Sequence, residues 1–294
     1  MKIADLQVNH MSQPCGIDGR DITIRWKLEG GKKQTAYEVV VRDISDAEQA
    51  KEIEATGKEA GGLMFYHLQN AIPYRTKAEI ILRVWDESDI ASDESRMLVT
   101  TGIEKEAWQA KWIDPEKEHA PEERQRASYL KKTFTLTEED IAKAQTKGAY
   151  LYSTCHGLMH IQINGKEITD HQLMPGTEQY DKRLLVETLP VEAFLKTGEN
   201  EIVVSLGDGW YRGSMGNSQA KNVHGSDIGL LAQLEIAGKP VCLTDETWQA
   251  TQNGPIGLND FMAGEEYDAR SEELSDFHAV KVRDFGFDNL ICRD

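Results

Sequence analysis

The chain has 294 residues, room for two domains at about 150 residues each. Hydrophobic residues make up 39% of it, which excludes a disordered, collagen-like or low-complexity polypeptide. Fifty acidic side chains against 33 basic ones leave a net charge of −17, a field that repels phosphate backbones and anionic lipid and argues against nucleic acid and membrane as partners.

The opening Met1-Lys2-Ile3-Ala4-Asp5 lacks the apolar core of a signal peptide, and no run of ~18 apolar residues follows anywhere. Cys15, Cys155, Cys242 and Cys292 stand far apart with no C-x-x-C pair. They read as scattered buried thiols, and the expectation is a soluble chain in a reducing compartment, the cytoplasm.

Period-two alternation then dominates. Ile22-Thr23-Ile24-Arg25-Trp26-Lys27-Leu28 runs into the turn cluster Glu29-Gly30-Gly31-Lys32, and Ala36–Val41 and Lys77–Trp85 are further β-branched and aromatic strands. The alternation stops near Gly102. Residues 105–128 read as a linker, with Pro115 and Pro121 bracketing mixed charge. Trp108 and Trp112, just before the charged stretch, are expected to pack against a neighbouring module.

Strands resume at Tyr129–Phe134. Thr137-Glu138-Glu139-Asp140 fits a capping box, so a short helix is expected from there. Asn164-Gly165 between alternating strands predicts a type I′ hairpin, because both central residues need positive φ. Pro190 to Leu195 suits one or two helical turns closed by Gly198. Further strands are expected at Glu201–Leu206, Leu230–Ile236 and Val241–Thr244. No long amphipathic helix interrupts them. The fold class is therefore all-β, two consecutive β-sandwich modules with a few short helices.

The candidate chemistry sits in Gly207-Asp208-Gly209-Trp210-Tyr211-Arg212-Gly213. As a phosphate loop it fails, since Arg212 stands where the third glycine of G-x-G-x-x-G belongs. Two readings of the loop remain. Trp210 and Tyr211 offer flat apolar faces while Asp208 and Arg212 offer an acceptor and a fork of donors, the combination that binds sugars. Alternatively, Trp210 caps the core and Arg212 pairs with a carboxylate such as Asp268. His156 and His160 are four apart, but on a strand that is roughly 13 Å, too far for one metal ion. Asp18, Asp21, Asp260, Glu265 and Glu266 form no calcium loop. No cofactor or metal is expected. A glycosidase needs two carboxylates ~5–10 Å apart across a sugar, and fifty acidic residues do not single out a pair. Gly213-Ser214-Met215-Gly216 is not a hydrolase elbow, so no catalytic residue is assigned.

A series of motifs nevertheless resembles one family along nearly the whole chain. It begins with Leu6-Gln7-Val8-Asn9-His10, Gly16-Ile17-Asp18 and Val84-Trp85-Asp86, followed by Trp108-Gln109-Ala110-Lys111-Trp112-Ile113. It continues through Ile163-Asn164-Gly165-Lys166, Pro175-Gly176-Thr177 and Tyr180-Asp181-Lys182-Arg183. The most specific members are Leu206–Gly213 and Gly264-Glu265-Glu266-Tyr267-Asp268-Ala269-Arg270. In this order they resemble bacterial α-L-rhamnosidases, glycoside hydrolases that remove terminal L-rhamnose.

The resemblance implies a fibronectin/immunoglobulin-like sandwich over 1–104, then the rhamnosidase N-terminal, jelly-roll-like sandwich over 129–294, cut short at its C-terminal side. It implies that the acid and base carboxylates lie on a later (α/α)6 barrel, the expected partner, so none is carried over here. A rhamnose-containing glycan is the expected ligand, with Asp208, Trp210, Tyr211, Arg212, Asp268 and Arg270 as its candidate contacts. The competing reading is a stand-alone carbohydrate-binding or adhesin-like sandwich with no enzyme attached.

Overall fold

Alternating residues become strands almost wherever they occur. In the computed structural model, which describes residues 1–31, 33–46, 48–115 and 126–293, the chain divides into two units. One is Met1–Glu104 together with the segment beginning at Cys292, and the other is Lys105–Ile291.

In the first unit, Ile24 and Trp26 turn inward while Arg25 and Lys27 stand in solvent, the pattern of a strand with one buried face. Lys2–Val8, Thr23–Glu29 and Phe65–His67 form a three-stranded sheet. The second sheet runs in the order Cys15–Ile17, Ser95–Thr101, Lys77–Asp86, Gln34–Asp43, Lys51–Ala55, with Glu59–Ala60 also on Gln34–Asp43. Val8, Ile24 and Trp26 of the first sheet share one core with Val39, Val41, Ile80, Leu82 and Val99 of the second. The buried indole Nε1 of Trp26 donates to Gln34 Oε1 at 2.9 Å, and the Gln34 amide donates in turn to the Gly61 and Leu63 carbonyls. No polar group is stranded by that burial. Arg293 adds an extended residue to this unit: its N–H donates to Gly16 O at 3.0 Å and its carbonyl accepts from Asp18 N–H at 2.9 Å.

The second unit is a sandwich of two six-stranded sheets. One sheet runs Glu187–Pro190, Ala149–His156, Gly229–Ile236, Trp112–Asp114, Lys281–Arg283, with Lys239–Leu243 also paired to Gly229–Ile236. The other runs Lys166–Glu167, Leu158–Ile163, Gly198–Gly207, Ser128–Leu136, Gln249–Thr251, His278–Ala279. Leu151, Leu230 and Leu234 of the first sheet meet Leu130, Ile161 and Val204 of the second in one core. Gly229–Ile236 is buried at every residue, its polar Gln233 and Glu235 included, which accounts for the unbroken apolar start Leu230-Leu231-Ala232. A hairpin of Ile256–Asp260 with Gly264–Tyr267 stands apart from both sheets. The four cysteines, all among the described residues, form no disulfide, and three of them are buried.

Local signals are realised as read. The helix Glu138–Lys147 starts at a capping box in which Asp140 N–H donates to Thr137 Oγ1 and Thr137 N–H donates to Asp140 Oδ2. Asn164 and Gly165 adopt φ of 53° and 73° where Ile163 pairs with Lys166, the left-handed pair a two-residue turn requires.

Two expectations change. The segment expected as a linker over 105–128 contains a core strand: Trp112 is only 2% exposed, and Ile113 pairs with Leu230 on one side and Val282 on the other. A three-residue strand is too short to show its period, so only its pairing reveals it. The charged stretch at 116–125 lies outside the described residues. Gly198 does not close the short turn Glu192–Phe194 but opens the strand Gly198–Gly207, with φ of 87°.

Candidate functional site

The strand Gly198–Gly207 delivers the glycine-rich loop to one end of the second sandwich. Close backbone approach is what makes a glycine necessary here: a Cβ on Gly157, whose φ is 120°, would lie 2.3 Å from the Gly207 carbonyl. Asp208 N–H donates to Asn259 Oδ1 at 2.5 Å, and the single helical turn Gly209–Arg212 follows. Arg212 Nε then reaches back four residues to Asp208 Oδ1 at 2.7 Å, with side-chain exposures of 3% and 8%. Arg212 Nη1 also donates to Ser226 O at 3.3 Å.

Beyond the turn, Ser214 donates from both N–H and Oγ to Asp260 Oδ2, while Met262 and Ala263 N–H donate to Asp260 Oδ1. Burial alone raises the Asp260 carboxyl, but these four donors outweigh it and hold the group at about 2. The loop is thereby clamped to the Ile256–Tyr267 hairpin, and Trp210 completes the clamp with its ring 4.4 Å from that of Phe261.

Tyr211 points the other way, into a cluster of rings. Its face stacks on His156 at 4.4 Å and 10°, and His156 stacks in turn on Trp112 at 4.9 Å and 28°. Phe285 meets His156 edge-on at 4.6 Å, and Tyr180 meets Tyr211 edge-on at 5.0 Å, the offsets that ring quadrupoles favour. A cavity of about 390 Å³ opens among these rings. Asp181, Lys182, His224, Asp288 and Asn289 form its polar rim. Lys182 lies 3.3 Å from Asp181, Asp288 is paired with Lys105, and Asn289 Nδ2 donates to Tyr180 O at 2.6 Å.

Burial decides the charge states inside. It pulls His156 down to about 4, so the imidazole is neutral at pH 7, and His156 Nδ1 is buried without a hydrogen-bond partner among the described residues. Burial, with the Asp227 charge adding to it, pushes Tyr211 up to about 12. Neither of these two stacked rings is poised to exchange a proton near neutrality. The arrangement suits binding by hydrogen bonds and ring edges.

Of the six residues singled out from the sequence, only Tyr211 borders this cavity. Asp208 and Arg212 lie behind it as an ion pair, and Trp210 faces the hairpin. Arg212 does pair with a carboxylate, as one reading of the loop has it, but the partner is Asp208 and not the suggested Asp268. Asp268 instead takes Arg270 at 2.7 Å, on an exposed turn after Gly264–Tyr267. His156, Tyr180 and Phe285 escaped sequence reasoning. In the sequence His156 draws notice only for its spacing from His160, which lies on the next strand with Nε2 3.4 Å from Glu167. Tyr180 stood in a quoted motif without a role. Among the described residues, no three His, Cys, Asp or Glu side chains gather as metal ligands.

Comparison with known proteins identifies both units. The family described as Alpha-L-rhamnosidase N-terminal domain matches residues 144–289, and the one described as Rha78A-like, N-terminal immunoglobulin domain matches residues 3–105. The chain belongs to the N-terminal region of the α-L-rhamnosidases. An α-L-rhamnosidase of Formosa agariphila is 29% identical over 277 residues, covering 88% of this chain and 29% of the relative. One from Alteromonas sp. is 32% identical over 213 residues, covering 68% of this chain and 22% of the relative. The chain therefore spans less than a third of the length of these curated relatives.

Among solved structures, the α-L-rhamnosidase from Dictyoglumus thermophilum is 26% identical, with a TM-score of 0.81 over 99% of this chain and 35% of that one. The native enzyme from Aspergillus terreus shares the fold with a TM-score of 0.86 at 23% identity, over 99% of this chain and 35% of that one. These likenesses confirm the all-β, sandwich-built architecture.

Proposed function

We propose that this chain is the ancillary, non-catalytic part of an α-L-rhamnosidase, whose two sandwiches support an (α/α)6 catalytic barrel and help present a rhamnose-containing glycoside to it. The observation that carries the reading is the order of two family domains, each matching most of one unit, in a chain under a third as long as its relatives. The chemistry of the second sandwich agrees with it. Two of its buried carboxylates, Asp208 and Asp114, are paired within the unit with Arg212 and Arg283, as suits a scaffold that holds its shape. Four cysteines without a disulfide suit a reducing compartment, and we place the chain in the cytoplasm.

The test is hydrolysis of 4-nitrophenyl α-L-rhamnoside by the purified chain. The expected result is no nitrophenol release above a blank without protein. Turnover clearly above that blank, lost on heat denaturation, would overturn the reading.

A further inference from the structure

We propose that the cavity bordered by His156, Tyr180, Tyr211 and Phe285 is a binding site for a neutral, hydroxyl-rich ring of monosaccharide size. The choice of a sugar among neutral polyols rests on the family reading above. The rest of the argument is geometric.

The first observation is an unspent polar edge. His156 is sandwiched between the faces of Tyr211 and Trp112, so only its edge is open to hydrogen bonding. The residue is 6% exposed, and Nδ1 has no partner among the described residues. Native structures satisfy nearly all such buried atoms; this nitrogen is itself closed to solvent, just beneath the wall of the cavity that His156 lines, and a partner reaches it as the ring edge turns. The Tyr211 hydroxyl likewise makes no hydrogen bond among the described residues. The Gly225 backbone packs closely against one side of it, where a Cβ would lie 2.2 Å from Tyr211 Oη, so any partner comes from the cavity side. A neutral imidazole and a phenol each donate and accept, as sugar hydroxyls do.

The second observation is charge balance. At the rim Lys182 stands beside Asp181, and Asp288 beside Lys105, while burial keeps His156 neutral. Among the described residues no unpaired Lys or Arg lines the cavity to hold a phosphate or carboxylate, whose recognition relies on those side chains. The third is size. At about 390 Å³ the cavity lies at the low end of ligand sites, which run from roughly 300 to 1,000 Å³. That leaves space for one ring and not for an extended oligosaccharide.

Calorimetry and saturation-transfer NMR on the full chain test this, with L-rhamnose, myo-inositol and glucuronate as probes. Saturable binding of L-rhamnose is expected, weakened about 2–10-fold by Tyr211→Phe, which removes one hydroxyl and leaves the ring stack. His156→Phe, which keeps a ring but no nitrogen, is expected to do the same with the melting profile intact. The proposal is overturned if no neutral probe binds at tens of millimolar. It is also overturned if both variants bind as the parent does, or if glucuronate binds tenfold more tightly than L-rhamnose. Failure of binding leaves the rhamnosidase reading standing, since that one falls only if the isolated chain turns over the nitrophenyl glycoside.

Discussion

Two Asp–Arg pairs in the second unit have the same chemistry and opposite surroundings. Asp208–Arg212 and Asp268–Arg270 each close at 2.7 Å, yet the side-chain exposures are 8% and 3% in the first pair and 43% and 90% in the second. The first pair sits at the base of the glycine-rich loop, where both charges have left water and each depends on the other. The second lies on an open turn, where solvent and salt compete for both partners. Equal distance therefore says nothing about equal consequence. The buried pair fixes the turn that presents Tyr211, and the exposed pair decorates a turn that its backbone already holds.

Removing one partner of the buried pair is the strongest way to break this contrast. Arg212→Ala takes the paired cation away from the buried Asp208 carboxylate and is expected to cost about 3–5 kcal/mol, read as a lower urea midpoint for the chain. A loss no larger than that of Arg270→Ala would end the distinction.

His156 sharpens the same point through pH. Burial lowers it from 6.5 to about 4, so between those values the unfolded chain takes up a proton that the folded chain refuses. The stability that burying a neutral His156 contributes is thus complete above pH 6.5 and is lost as pH drops toward 4, by up to about 3 kcal/mol. Asp260, held at about 2, titrates below that window and does not contribute within it. The check is to compare urea midpoints of the parent and His156→Phe from pH 7 to pH 4.5: the parent is expected to weaken more steeply. Parallel slopes would show that the imidazole is not sequestered as described.

The smallest effect belongs to the exposed pair. The Arg270 guanidinium holds Asp268 at about 2 through a hydrogen bond, but salt screens so open an interaction. Arg270→Ala is expected to leave the melting temperature unchanged within error, in low salt and high. A clear drop would mean the turn after Tyr267 does more than its exposure allows.

Much of the fold was legible because it is written locally. Ile24 and Trp26 alternate with Arg25 and Lys27, Thr137 and Asp140 stand at capping distance, and Asn164-Gly165 can only turn one way. The site was less legible. The sequence left two readings of the loop open, a sugar contact or an Arg212 paired with a carboxylate such as Asp268, and the structure sets Tyr211 at a cavity while pairing Arg212 with Asp208. Trp112, placed before a spacer, proved to be a wall of the core, because three residues carry no readable period and their neighbours in the sheet are Leu230 and Val282.

What the sequence determined by itself is a chain of strands, one capped helix, one tight hairpin and an ordered set of family motifs. Those follow from backbone preferences and side-chain spacing within a few residues. Only the tertiary structure decided which charges cancel, and that His156, Tyr180, Tyr211 and Phe285 enclose a common space. Those four come from the end of one strand, two loops and the C-terminal stretch, and they meet because sheet pairing and core burial bring distant segments together, an arrangement that no local rule encodes.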